Sequence, residues 1–205
     1  MEFSGVFKNQ FYDKMLKPMS YGNPIRNRAD SFLEVFTRLE QKKDKNFTIV
    51  ETGCMRRDHG EMCFGDDGCS TYLFDQFVNH YNGIVYSVDI SEANCNYARS
   101  KISNKTEITC SDSVKFLWNF AKTIDLLYLD SFDIRRATPH PSQLHHLKEL
   151  CAATKNLRRG SIVVVDDHDA FFTNGQIGKG IYIKDFMANI GVEIIFEEYQ
   201  IGWQL

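Results

Sequence analysis

Four segments of the chain are too continuously apolar to lie on a surface: 47–52 (FTIVET), 83–89 (GIVYSVD), 125–130 (DLLYLD) and 161–166 (SIVVVD). None alternates polar with apolar residues as a half-exposed strand does. Near-continuous runs of this kind mark strands of a parallel sheet covered on both faces. Candidate helices lie between them at 28–41, 70–80, 91–102, 111–121 and 141–157. Ser91 and Ser111 suit N-cap positions, Pro141 suits a first helical turn, and Gly160 suits a helix-ending reversal. Segment 176–190 reads as one more helix, and 192–205 as one or two further strands. The expected fold class is α/β, a doubly wound and mostly parallel sheet with an antiparallel edge at the C-terminus and helices on both faces.

The chain has 205 residues, which at roughly 100–200 per domain predicts one domain, with an N-terminal extension (1–27) and a core (28–205). A hydrophobic fraction of 43% and a charged fraction of 25% exclude disordered and fibrous classes. No apolar run approaches the ~18 residues of a membrane span. Residues 1–17 mix charges with aromatics, unlike a signal peptide, so a cytoplasmic location and no membrane partner are expected. The net charge is −3 and the paired arginines at 56–57, 135–136 and 158–159 are scattered, which disfavours a nucleic-acid partner. Without a secretory signal the six cysteines are read as reduced thiols. Cys54, His59, Cys63 and Cys69 fall close together but lack a C-x2-C pair, so structural zinc is the weaker reading.

All four apolar runs end at or beside a carboxylate: Glu51 (with Gly53 just beyond), Asp89, Asp130, and Asp166 followed by Asp167. In an open α/β sheet, ligands bind outside the carboxyl ends of the strands. Any one acid there is as well explained as a helix cap. The set is not. An acid at the tip of the second strand can accept both ribose hydroxyls of an adenosine-type cofactor, and a glycine at the first tip lets the backbone approach it. A G-x-G-x-x-G is missing; the loop instead carries Asp58, Glu61, Asp66 and Asp67, which suit a cationic ligand better than a pyrophosphate.

Together these residues resemble the class I S-adenosylmethionine-dependent methyltransferases, on a Rossmann-like sheet. Residues 50–53 (VETG) look like their first motif, and 68–71 (GCST) like the start of their first core helix. The resemblance implies cofactor contacts from Glu51, Gly53, Gly68, Ser70, Asp89, Ile90, Asp112, Ser113 and Asp130, with Asp89 on the ribose, Ile90 against adenine and Asp112 on its exocyclic amine. The fourteen residues 54–67 depart from the compact family loop. Asp130, Asp166 and Asp167 are similar to the metal ligands of the metal-dependent small-molecule and sugar O-methyltransferases. That implies a hard all-oxygen site for Mg²⁺ or Mn²⁺. Left unpaired, the three acids would repel one another, so something cationic is expected among them.

Such an enzyme must aim an acceptor hydroxyl in line with the methyl group and remove its proton. A metal would lower the hydroxyl's pKa. The family's usual base position, three after the first metal acid, holds Asp133; His168 and His145 are rivals, followed by His140 and His146. The expected acceptor is a hydroxylated small molecule or a glycan, and a homo-oligomer is left open. A nicotinamide-dependent oxidoreductase and a catalytically inactive binding module are the alternative readings. The aromatic extension 1–27 is expected to pack on the core, with a substrate lid as the second reading. The glycine-rich segment 171–180 is expected to be a flexible loop able to close over substrate.

Overall fold

The computed structural model describes residues 2–16, 28–56, 64, 69–171, 173 and 176–205. In chain order the elements are α1 (Phe3–Phe7), a π-helical turn (Lys8–Tyr12), α2 (Asp13–Met15), α3 (Ala29–Glu40), β1 (Asn46–Thr52) and α4 (Ser70–His80). There follow β2 (Asn82–Asp89), α5 (Glu92–Arg99), β3 (Thr106–Cys110), α6 (Ser113–Asn119), β4 (Leu126–Leu129) and α7 (His140–Ala153). A 3₁₀ turn (Thr154–Asn156), β5 (Ile162–Val165), α8 (Ile181–Asn189), β6 (Ile194–Glu197) and β7 (Ile201–Gln204) complete the described chain.

The strands form one sheet in the order β3-β2-β1-β4-β5-β7-β6. The first five are parallel, and β7 runs antiparallel between β5 and β6. The expected fold class is therefore observed, including the antiparallel C-terminal edge. Its central strands are buried on both sides, and period-two geometry divides their residues between two cores. Ile49, Leu126, Tyr128, Ile162 and Val164 join one face, while Val50, Leu127, Leu129, Val163 and Val165 join the other. The first face is dominated by aromatics. Helix α3 presents Phe32, Val35, Phe36 and Leu39 to it at helical spacing, all buried. The N-terminal helices add Phe3, Phe7, Phe11 and Met15, with Phe3 edge-on to Phe36 at 5.0 Å. For residues 2–16 the packing reading of the extension holds; the lid reading falls largely on 17–27, outside the described residues.

Three local expectations need correction. Strand β3 was not among the segments read as strands, because its TEITC sequence alternates and its outer face is exposed, as an edge strand allows. Asp112, rather than Ser111, caps α6 by accepting from the Lys115 amide at 2.8 Å, whereas Ser91 does cap α5. The segment read as a flexible glycine loop is packed only at its end: Gly178, Lys179 and Gly180 are buried while Gln176 is exposed, and α8 starts at Ile181. A Cβ on Gly178 would lie 1.6 Å from the His168 carbonyl oxygen, an approach only glycine permits.

Among the described residues, no helix is long and apolar enough to cross a membrane. Cys54, Cys69, Cys95, Cys110 and Cys151 form no disulfide. The other two members of the zinc reading, His59 and Cys63, lie outside the described residues.

Candidate functional site

Strand register brings the acids into one row. Thr52 pairs with Val88 on one side and Leu129 on the other, and Leu129 pairs with Val165. The next residue of each strand or turn is therefore Asp89, Gly53, Asp130 and Asp166 across four adjacent tips. The chain leaves β1 for β2 and β3 on one side, then crosses to β4 and β5 on the other, so the row straddles the point where the winding reverses. A cleft of about 180 Å³ opens there, lined by Gly53, Ser70, Asp89, Ile90, Asn94 and Asp130 among others.

Asp89 is held rigidly at this cleft. Its carboxylate accepts from the Ser91 amide (2.7 Å), the Cys54 amide (3.2 Å) and the Asn94 side-chain amide (3.3 Å to both oxygens). Ile90, beside it, is 77% exposed, an apolar side chain uncovered at the cleft rim. Gly53 has φ +82°, and a Cβ there would lie 2.5 Å from the Asp130 carbonyl oxygen, so the β1 and β4 turns touch backbone to backbone.

Glu51 lies behind the cleft. It is fully buried and accepts from Ser70 (2.5 Å), Thr71 (2.7 Å) and Ser87 (2.5 Å). Burial pushes its carboxyl up to about 7 against the pull of these three hydroxyls. Thr71 in turn accepts from the Met55 amide at 2.8 Å. Glu51 therefore ties the start of α4 to β1 and β2 and does not line the cavity. Ser70 does line it. Asp112 and Ser113 do not: Asp112 caps α6, and Ser113 pairs with His145. Gly68 and the acids Asp58, Glu61, Asp66 and Asp67 lie outside the described residues.

The proposed bases differ sharply in placement. Asp133 is exposed and receives both contacts from one Arg56 nitrogen (3.0 and 3.1 Å). It borders the first cleft and also a second cavity of about 410 Å³, lined by Ser131, Phe132, Arg135, Thr138 and Pro141. His168 is fully buried, with Nε2 at 3.1 Å from Glu197 Oε1, and lies behind β5 facing no described cavity. Burial holds its imidazole low against the pull of Glu197, and the ring faces Glu197 rather than a cavity. His145 is half-buried, with Nε2 at 3.0 Å from Ser113 and 3.3 Å from Glu149. Its ring lies 5.3 Å from that of Phe132, which lines the second cavity. His140 pairs with Tyr182, and buried His146 pairs with the Ser142 carbonyl.

The trio Asp130, Asp166 and Asp167 does converge, as expected, but around side chains that sequence reasoning did not assign. Arg28 Nε lies 3.0 Å from both oxygens of Asp166. Tyr128 and Gln200 donate to the same carboxylate at 2.9 and 3.3 Å, as does the Asp167 amide at 2.8 Å. Lys179 donates to Asp130 and forms an ion pair with Asp167 at 3.0 Å. Tyr199 donates to Asp167. Burial drives the Asp130 carboxyl well up against the pull of Lys179; on Asp167, burial is outweighed by Lys179, Arg28 and Tyr199, and the group is held low. Two fixed cations, Arg28 and Lys179, thus face three acids.

This donor set does not fit the expected divalent cation. Asp166 is 1% exposed with both oxygens engaged, and Asp130 and Asp167 share an ammonium. Among the described residues no cluster of His, Cys, Asp or Glu is open to a metal. The signal for Arg28 and Lys179 was the acids themselves, since buried like charges require a cation nearby. Which cation answers them is a tertiary fact.

No family model matches the chain, and no curated protein does. Solved structures share its fold. The O-methyltransferase NovP superposes with a TM-score of 0.66 at 12% identity, over 98% of this chain and 98% of that one. CalS11, a TDP-rhamnose 3'-O-methyltransferase of calicheamicin biosynthesis, gives 0.58 at 16% identity over 88% and 81% of the two chains. MycE, a methyltransferase of the mycinamycin pathway solved with Mg and S-adenosylhomocysteine, gives 0.61 at 14% identity, over all of this chain and 54% of its own. The fold of this chain is that of these methyltransferases.

Proposed function

We propose that the chain is an S-adenosylmethionine-dependent methyltransferase that acts on a hydroxyl of a small molecule, a sugar. The observation that carries the reading is the fixed Asp89 carboxylate on a cleft at the winding reversal, flanked by Gly53 and the uncovered Ile90. That arrangement suits a nucleoside whose ribose hydroxyls donate to Asp89 and whose base lies against Ile90. Support for the reaction class comes from the neighbours NovP, CalS11 and MycE, and for a sugar acceptor from CalS11.

The cofactor supplies a methyl group already activated by its sulfonium. The chain's own task is then to bind, aim and deprotonate. Asp89 and Gly53 seat the nucleoside; the second cavity, joined to the first at Ser131 and Asp133, holds the acceptor against Phe132. Asp133, steadied by Arg56 between the two cavities, takes the hydroxyl proton as the new bond forms and the oxygen becomes acidic. Asp130, Asp166 and Asp167 serve this reading as the rigid floor of the cleft, with no step routed through a metal.

Calorimetric titration with S-adenosylhomocysteine and, separately, NAD tests the reading. Binding of the former and no heat from the latter is expected. The converse result would replace it with the oxidoreductase reading. A methyl-transfer screen over sugars, catechols and amines then identifies the acceptor class, with turnover on amines alone overturning O-methylation.

A further inference from the structure

Lys179 is 0% exposed, although an ammonium is among the groups least tolerant of burial. Its Nζ donates to Asp130 Oδ1 and, at 3.5 Å, to the Asp130 carbonyl oxygen, and it forms an ion pair with Asp167 Oδ2 at 3.0 Å. Three oxygens from two acids thus surround the ammonium. From this geometry we infer that Lys179 stands in the place a divalent cation would otherwise take between the strand-tip acids, so that this site is organised by an internal ammonium and needs no metal.

The backbone delivers that charge and keeps it there. The Lys179 amide donates to the Asp167 carbonyl at 3.2 Å, and Gln143 donates to the Gly178 carbonyl at 3.1 Å. A Cβ on Gly180 would lie 2.7 Å from the Ile201 side chain and 2.9 Å from the His168 ring, a close approach though less severe than that of Gly178 to the His168 backbone. The flanking residues are thus pressed against β5 and β7, and the ammonium has no solvent to swing into. An incoming divalent ion would have to expel it into the apolar interior or sit beside it, and both are costly, the first for a buried charge and the second for like charges in contact. The third acid offers no alternative, since Arg28, Tyr128 and Gln200 occupy Asp166. Lys179 is a positioning residue: it touches Asp130, which lines the cleft, and does not itself reach the cavity.

The test is a Mn²⁺ titration of the full chain followed by the electron paramagnetic resonance signal of free Mn²⁺, with no cofactor or acceptor present. Failure of the methyl-transfer reading therefore leaves this result intact, and the reverse. Wild-type protein is expected to leave the free signal unchanged. Lys179→Met, similar in length and uncharged, is expected to bind one Mn²⁺ with affinity raised roughly tenfold or more, the least that removing a facing positive charge implies. Adding Asp167→Asn should abolish that gain. A wild-type protein that binds one Mn²⁺ lost on Asp167→Asn would overturn the inference, as would a folded Lys179→Met that gains no binding. Should Lys179→Met fail to fold, the wild-type and Asp167→Asn titrations decide by themselves: a site present in the first and absent in the second sinks the idea, and no site in either supports it.

Discussion

Arg28 and Asp166, 138 positions apart in sequence, meet with Nε 3.0 Å from both carboxylate oxygens, at side-chain exposures of 6% and 1%. The guanidinium also lies 4.5 Å from the Tyr199 ring centre. The contact pins the start of α3 to the end of β5 and closes one side of the acid trio. A buried pair of this kind adds little against an apolar replacement, but breaking it leaves a charge stranded. Arg28→Ala is therefore expected to destabilise the protein by about 3–5 kcal/mol in urea unfolding. Adding Asp166→Asn should recover part of that loss, since it removes the stranded charge; a double variant no more stable than the single one would argue against the pairing as the cause.

Asp89→Ala should weaken S-adenosylhomocysteine binding by about 2 kcal/mol or more, roughly thirtyfold, the scale of hydrogen bonds to a charged acceptor. Calorimetry reads the affinity directly. An unchanged dissociation constant in a folded variant would remove Asp89 from the nucleoside site.

Asp133→Asn should lower kcat by roughly 10²–10⁴, the range for loss of a general base, while S-adenosylhomocysteine affinity stays unchanged. Asp133 is exposed, so its loss should not disturb folding. His145→Gln with the same loss and Asp133→Asn without it would transfer the role to the histidine.

Stability should respond to pH through two opposed buried groups. Burial raises the Glu51 carboxyl from 4.5 to about 7, so the folded protein binds the proton more tightly than the unfolded chain does. Stability from this group is full at low pH and is lost as pH rises from 4.5 through 7, about 3 kcal/mol in all. His146 runs the other way: burial lowers it from 6.5 to about 4, so its contribution is lost as pH falls from 6.5 through 4. In the wild type these slopes partly cancel. Glu51→Gln should expose the acid-side loss and His146→Gln the neutral-side loss, read as urea midpoints across that range; identical pH profiles for all three proteins would contradict both assignments.

Gly178→Ala should cost about 1–3 kcal/mol, because the added methyl must move the His168 backbone. Thermal melting measures it. A neutral substitution would mean that the segment carrying Lys179 is looser than its contacts indicate.

Much of this architecture was legible in the residues. The runs at 47–52, 83–89, 125–130 and 161–166 are apolar at successive positions, and only a strand covered on both sides tolerates that. Strand β3 carries no such run for the complementary reason, since an edge needs only one apolar face. The acids at the strand tips stood out because four continuous apolar runs all end in charge. Asp112 shows the limit of that reasoning, for here the ordinary N-cap explanation is the one the geometry supports. His168 follows an acid pair in sequence yet turns to Glu197, away from the cleft.

Local sequence, then, determined the sheet, the direction of its strands and the row of carboxylates at their ends, because periodicity and chain reversal are short-range properties. It also determined that those carboxylates required positive charge, since like charges cannot be buried together uncompensated. What answers that requirement was decided only by tertiary structure. Arg28 arrives from before α3 and Lys179 from a segment squeezed by two glycines against β5 and β7, each distant in sequence from an acid it faces. Long-range packing chooses between an ion from solution and a cation from the chain, and no spacing rule within a motif encodes that choice.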